Sequence, residues 1–174
     1  MNTANKLTIF RVILVPVFLI ILYMGFPGSN YVALAVFIIA SITDAIDGYI
    51  ARSRKQVTDF GKFLDPLADK VLVVAAMLWF VETGILPAWA VLIVVIREFA
   101  VTALRLVAAS RGDVIAAGLS GKIKTVASMV CLIILFFAVP VWVVNTCIAV
   151  IVATTVVSGI EYFVKNKDSL DWGK

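Results

Sequence analysis

The stretch DAIDGYIARSRKQVTDFGKFLDPLAD, residues 44–69, places four aspartates inside segments that otherwise have the composition of membrane-spanning helices. Asp44 and Asp47 are spaced i,i+3, and Asp65 and Asp69 are spaced i,i+4, so each pair shares one face of its predicted helix. A carboxylate at the bilayer centre costs about 2.5 to 3.5 kcal/mol on insertion scales and marks a functional site by default. The stretch therefore predicts a carboxylate site carried by two consecutive helices.

The composition of the whole chain agrees with a polytopic, all-α membrane protein. Of the 174 residues, 63% are hydrophobic, and the mean hydropathy is +1.09, whereas apolar residues make up about half of a soluble domain. The length predicts a single domain, 1–174, and no cleavable signal is expected ahead of the first helix. Apolar runs of the length that crosses a bilayer predict six transmembrane helices, at 7–25, 31–52, 61–82, 87–110, 121–138 and 141–164.

The basic residues indicate how these helices are oriented. Breaks at 25–28, at 82–87 and at Pro140 supply turns on one side of the membrane. Most of the lysines and arginines fall at or near the helix ends on the other side. By the positive-inside rule, we expect that basic side and both termini to face the cytoplasm, in a multi-pass protein of the cell membrane.

The absence of histidine narrows the chemistry that the chain can perform. With no histidine in the sequence, His-based proton transfer, His metal ligands and Ser–His or Cys–His nucleophiles are excluded. Cys131 and Cys147 lie in apolar runs without C-x-x-C spacing, which is typical of small buried hydrophobic residues. Carboxylates must therefore carry any proton transfer.

Four aspartates without a His or Cys ligand suit hard divalent cations such as Mg²⁺ or Mn²⁺, which prefer oxygen ligands. Two such ions would neutralise the four carboxylates and could clamp phosphoryl oxygens during an in-line displacement, which beside a membrane suggests phosphoryl chemistry on a lipid. Gly48 and Gly61 would let substrate groups approach the helices closely, and Arg52 could neutralise a diphosphate. The alternatives are structural salt bridges or the ion pathway of a transporter, although the chain shows no internal repeat of the kind transporters carry.

Other charged and polar residues lie outside the aspartate stretch. Asn5, Thr8 and Arg11 form a stripe on the first helix, which could be a cap with a surface-anchored arginine or part of a ligand site. Arg97 and Glu98 fall near mid-membrane, and we favour a structural ion pair over a direct catalytic role for them.

Residues 44–69 resemble the signature D-x-x-D-G-x-x-A-R-x8-G-x-x-x-D-x-x-x-D of the CDP-alcohol phosphatidyltransferase family and match it at every specified position. The resemblance extends to the six apolar spans. It implies transfer of a phosphatidyl group from a CDP-linked lipid to an alcohol with release of CMP, two divalent metal ions, and a homodimer without a nucleic-acid partner. By positional match, Asp44, Asp47 and Asp65 would be metal ligands, and Asp69 would be the general base that also contacts the second metal. The positions that would line the CDP-lipid site are Asn5, Thr8, Gly48, Ala51, Arg52 and Gly61.

The segment 97–125 is similar to that of bacterial family members whose acceptor is sn-glycerol 3-phosphate. An anionic acceptor also agrees with the charge of this segment, which exceeds what a neutral alcohol requires. Ordinary anchoring of basic residues at the membrane surface is the alternative for these positions. Inositol phosphate, phosphatidylglycerol as in a cardiolipin synthase, and, more remotely, a non-catalytic ion or lipid transporter remain open. The residues predicted to hold the acceptor phosphate are Arg105, Arg111, Lys122 and Lys124.

Overall fold

The computed structural model describes the backbone of residues 3–54, 59–110 and 118–166, and the side chains of residues 9–43, 70–110 and 118–166. The described backbone is helical apart from short connections. Its contacts divide the chain into an N-terminal unit, Met1–Ala76, and a C-terminal unit, Met77–Lys174. The helices are α1 Thr3–Met24, α2 Ser29–Arg54, α3 Asp59–Glu82, α4 Ala88–Ser110, α5 Leu119–Leu135 and α6 Val141–Lys165.

Each of the six predicted segments corresponds to one of these helices, so the all-helical prediction is confirmed. The largest difference at a C-terminal end is in α5, which ends at Leu135 where the apolar run predicted 138. Phe136 and Phe137 close the helix by donating their backbone N–H groups to the carbonyls of Ile133 and Ile134, respectively. The helix cannot continue into α6 because a proline at position 140 disfavours helical backbone at Val139.

Glycines make the predicted turn between α1 and α2 possible. Gly25 and Gly28 have φ angles of 62° and 89°, in the left-handed region that side chains with a Cβ rarely adopt. The backbone N–H of Gly25 donates a hydrogen bond to Leu22 O, and the N–H of Tyr31, in the first turn of α2, donates one to Gly28 O. The turn therefore connects the two helices through four residues, 25–28.

In the N-terminal unit, α1 packs against α2. Phe18 of α1 and Phe37 of α2 are fully buried, and their ring centroids are 6.1 Å apart. Ala33 and Ala40 lie on the same face of α2 as Phe37 and are also fully buried. These small residues flank the aromatic pair, which is the pattern that lets two apolar helices approach closely.

In the C-terminal unit, α6 packs against both α4 and α5. Val101 and Leu104 of α4 and Tyr162 of α6 form a buried cluster. Phe80 and Phe136 make an edge-to-face contact with centroids 4.9 Å apart. The favourable geometry of this ring pair fixes the last turn of α3 relative to the end of α5.

Helix α6 is long and apolar enough to cross a membrane. It has 25 residues and a mean hydropathy of 2.1 over its most apolar stretch, of which 22% is buried. The core helix of a soluble protein would be mostly buried, whereas Trp142, Val157 and Ile160 of α6 are more than half exposed. Within the described residues, the apolar parts Ile9–Met24 and Ser29–Thr43 are shorter.

Candidate functional site

The aspartates of the signature lie on two consecutive helices, as the spacing predicts. Asp44 and Asp47 belong to the C-terminal part of α2, and Asp65 and Asp69 belong to the N-terminal part of α3. Their i,i+3 and i,i+4 spacings are therefore realised on helical backbone, where such pairs share a face. Their side chains lie outside the described part of the chain, so their roles as metal ligands and general base stay predictions.

Several other predicted site residues also lie outside the described side chains. Among the side chains that are described, no group of three or more His, Cys, Asp or Glu residues could hold a metal ion. Arg111 falls in 111–117, outside the described backbone as well. The predicted CDP-lipid residues that lie on described backbone are Asn5 and Thr8 on α1, Gly48, Ala51 and Arg52 on α2, and Gly61 on α3.

Arg11 of α1 is buried, and its side chain is only 1% exposed. The interpretation of Arg11 as an arginine anchored at the membrane surface is therefore wrong. A guanidinium carries a positive charge, and burying it requires compensating partners. Helix α1 thus contributes a charged group to the interior of the N-terminal unit.

Arg105 is held by an aromatic side chain of α6. Its Nε donates a hydrogen bond of 2.9 Å to Tyr162 Oη, and its Cζ lies 5.4 Å from the centre of the Tyr162 ring. The tyrosine is 6% exposed, whereas Arg105 lies in an exposed position. The contact combines a hydrogen bond with cation–π attraction and orients the guanidinium at the surface of the C-terminal unit.

Arg97, Glu98 and Lys124 form a compact group of charges between α4 and α5. Glu98 Oε1 accepts a hydrogen bond of 3.0 Å from Arg97 Nη1 and one of 2.5 Å from Lys124 Nζ. The side chains are 13%, 17% and 6% exposed in the order Arg97, Glu98, Lys124. The predicted Arg97–Glu98 ion pair is confirmed, and Lys124 joins it as a third member.

The two lysines predicted to bind the acceptor phosphate differ in their surroundings. Lys122 is exposed, whereas Lys124 is buried against Glu98. Residues two apart on an α-helix point in directions about 200° apart, which explains the difference. Among the predicted acceptor-binding cations whose side chains are described, Arg105 and Lys122 are exposed, whereas Lys124 is buried and paired.

The role of Tyr162 and the partner of Lys124 were not predicted from the sequence. A tyrosine near the end of an apolar helix was a usable signal, since a buried tyrosine hydroxyl usually needs a polar partner. Lys124 offered no comparable signal, because a lysine at a helix N-terminus is equally typical of anchoring at the membrane surface. In both cases the partner lies far away in the chain.

Comparison with known proteins gives consistent matches along nearly the whole sequence. A family model described as CDP-alcohol phosphatidyltransferase matches residues 1–160. A protein of Bacillus subtilis named CDP-diacylglycerol–glycerol-3-phosphate 3-phosphatidyltransferase is 45% identical over 97% of both chains. A protein of Escherichia coli with the same name is 40% identical over 82% of this chain and 80% of its own length. A Mycobacterium tuberculosis protein named probable phosphatidylglycerophosphate synthase is 40% identical over 92% of this chain and 79% of its own.

Proposed function

Because the chain belongs to the CDP-alcohol phosphatidyltransferase family, we propose that it transfers the phosphatidyl group of CDP-diacylglycerol to sn-glycerol 3-phosphate. The products are phosphatidylglycerophosphate and CMP, and the reaction belongs to phospholipid biosynthesis. The observation that carries this proposal is the 45% identity, over 97% of both chains, to a relative whose name states this reaction. The complete aspartate signature supports it, because the signature supplies the groups that phosphoryl transfer needs.

Two divalent metal ions, Mg²⁺ or Mn²⁺, fit the donor set of the signature. The chain offers four carboxylates on consecutive helices and no histidine, which suits hard cations with oxygen ligands. We assign Asp44, Asp47, Asp65 and Asp69 as the residues that hold them. When bound, such ions neutralise phosphoryl oxygens and stabilise the charge that develops on the leaving CMP.

Asp69 is the proposed general base. Its carboxylate accepts the proton of the acceptor hydroxyl while the hydroxyl oxygen forms a bond to the β-phosphorus of CDP-diacylglycerol. The bond between that phosphorus and the oxygen of CMP breaks in the same displacement. Since the chain has no histidine, a carboxylate of the signature is the base that this proposal assigns.

The substrates are held by separate groups of residues in this proposal. Arg52 neutralises the diphosphate of CDP-diacylglycerol, and Gly48 and Gly61 leave space for it beside α2 and α3. Asn5, Thr8 and Ala51 complete this set. The acceptor phosphate is held by charge-assisted hydrogen bonds from Arg105, Arg111, Lys122 and Lys124.

The arrangement in the membrane follows the charge pattern. We propose six transmembrane spans, with both termini and the active site on the cytoplasmic side of the cell membrane and with two copies forming a homodimer. The distribution of basic residues supports this orientation. The many exposed large apolar side chains, such as Leu92, Ile96 and Phe99 of α4, are those expected of helices that contact lipid.

The proposed reaction is tested with the purified full-length protein in detergent. The protein is incubated with CDP-diacylglycerol, Mg²⁺ or Mn²⁺, and one acceptor at a time: glycerol 3-phosphate, inositol phosphate or phosphatidylglycerol. We expect metal-dependent CMP release with glycerol 3-phosphate alone, and a lipid product with the mass of phosphatidylglycerophosphate. If a lipid product forms only with one of the other acceptors, that acceptor replaces glycerol 3-phosphate as the substrate. If no CMP is released with any acceptor, the result favours a non-catalytic transporter.

A further inference from the structure

Glu98 connects two cations, Arg97 and Lys124, of which the proposed reaction uses only Lys124. The same oxygen, Oε1, accepts hydrogen bonds from Arg97 Nη1 and Lys124 Nζ, at 3.0 and 2.5 Å. With two cations and one anion, the group has a formal charge of +1. Since the Lys124 side chain is 6% exposed, this carboxylate is the partner that holds its buried ammonium in place.

The position of Glu98 is braced by the way Arg97 lies across α5 and α6. Adjacent residues on a helix point about 100° apart, so Arg97 must bend toward Glu98 to bond it. Gly121 of α5 and Gly159 of α6 leave room for the Arg97 side chain. A β-carbon at Gly159 would lie 3.3 Å from Arg97 Cγ, and one at Gly121 would lie 3.5 Å from Arg97 Nη2.

The flexibility of lysine explains why such a support is needed. A lysine ammonium is a point charge on a four-carbon stem with several rotatable bonds, so its position is set by its partner. Lys124 lies one turn after Gly121, on the face of α5 that Arg97 contacts. The carboxylate of Glu98 therefore determines the position from which the Lys124 ammonium can contact an anion.

We propose that Glu98 is a positioning residue for the anionic acceptor: braced by Arg97, it orients the ammonium of Lys124 toward the acceptor's phosphate. The inference rests on the proposed function, in which Lys124 binds that phosphate. The formal charge of +1 that the group keeps after internal pairing provides the attraction for the anion. A plain structural role, in which the group only joins α4 to α5, would affect stability without affecting the acceptor.

The first test is Glu98→Gln, which keeps the shape of the side chain and removes its charge. Initial rates are measured with glycerol 3-phosphate and CDP-diacylglycerol varied separately. We expect the KM for glycerol 3-phosphate to rise about tenfold, the effect of one charge-assisted hydrogen bond, with the KM for CDP-diacylglycerol within about twofold. Glu82→Gln is the matched control, because Glu82 is exposed at the C-terminal end of α3, far along the helix from Asp65 and Asp69, and both KM values should stay unchanged.

The second test is a double-mutant cycle with Lys124→Met. If Glu98 acts through Lys124, Glu98→Gln adds less than about a twofold change in acceptor KM once the lysine is gone. The unfolding temperature of the double variant is measured beside the kinetics, because Arg97 loses its anionic partner in it. Effects that multiply in the double variant would overturn the proposal.

Glu98→Asp keeps the inference testable if Glu98→Gln does not fold. The side chain introduced by Glu98→Asp keeps the charge but is shorter by one methylene. The hydrogen bond to Lys124 is weakened rather than lost, so we expect about a threefold rise in acceptor KM. A lower unfolding temperature with an unchanged acceptor KM would leave Glu98 a purely structural residue. Failure of wild-type protein to convert glycerol 3-phosphate would refute the proposed function itself, whereas active wild type with unmoved KM in the variants would refute only this inference.

Discussion

At the scale of single residues, specific partner side chains hold the cations Arg105 and Lys124 of the C-terminal unit in position. Tyr162 has its ring in a buried cluster with Val101 and Leu104, while its hydroxyl accepts a hydrogen bond from Arg105 Nε. A buried aromatic residue can fix a cation in this way because its ring is held by packing and its hydroxyl retains a polar contact. The partner that holds Arg105 is thus itself held by the core.

We expect Tyr162→Phe to raise the KM for glycerol 3-phosphate by about 3- to 10-fold. The change removes one hydrogen bond, worth about 0.7 to 1.4 kcal/mol and so within the usual range for a single bond, and keeps the ring that Arg105 contacts. Steady-state kinetics with each substrate varied in turn measures the effect. Arg105→Ala is the reference variant and should raise the same KM at least about tenfold. An acceptor KM that is unchanged in both variants would contradict the assignment of Arg105 to the acceptor phosphate.

Asp69→Asn should lower kcat by at least about 100-fold, because the amide keeps the shape of the carboxylate but cannot accept the proton of the acceptor hydroxyl. Binding of CDP-diacylglycerol should largely survive, with some weakening if Asp69 also holds the second metal. Calorimetric titration of the lipid in detergent separates binding from turnover. Near-wild-type turnover would remove Asp69 as the general base.

At the scale of helices, glycine on α6 decides where Arg97 can lie. Gly159 precedes Tyr162 by one turn, so α6 offers a bare surface to Arg97 and an aromatic side chain to Arg105. Both arginines come from α4, two turns apart. The packing of α4 against α6 therefore orients both cations at once.

Gly159→Val should destabilise the protein by about 1 to 3 kcal/mol. The added atoms would meet Arg97, since a β-carbon alone would already lie 3.3 Å from its Cγ. The unfolding temperature in detergent measures the effect. Val157→Leu is the control on the same helix, because Val157 is 61% exposed and has room for a larger side chain. Equal unfolding temperatures for the two variants would show that Arg97 moves aside at little cost.

At the scale of the whole molecule, orientation in the membrane determines which compartment supplies the acceptor. Glycerol 3-phosphate is charged and cannot cross a bilayer unaided, so its binding residues must face the compartment that contains it. The proposed orientation puts the turn at residues 25–28 outside the cell and the C-terminus inside.

Cysteine labelling of intact cells measures this orientation. In a background with Cys131 and Cys147 replaced by alanine, Asn30→Cys should react with a membrane-impermeant maleimide, because Asn30 is exposed at the start of α2. Lys174→Cys should react only after the cells are made permeable. Labelling of Lys174→Cys in intact cells would show that the C-terminus lies outside the cell, contrary to the proposed topology.

The sequence by itself determined the six helices, the breaks between them and the family, because each of these depends on residues close together in the chain. A run of apolar residues, a glycine that permits positive φ and the spacing of four aspartates can all be recognised locally. Only the tertiary structure decided which partner each described charge has. Lys124 and Glu98 are 26 positions apart, and Arg105 and Tyr162 are 57 apart. The same charge pattern is compatible with a surface anchor or a buried pair, and the packing of distant helices selects between them because a buried charge is stable only with a partner.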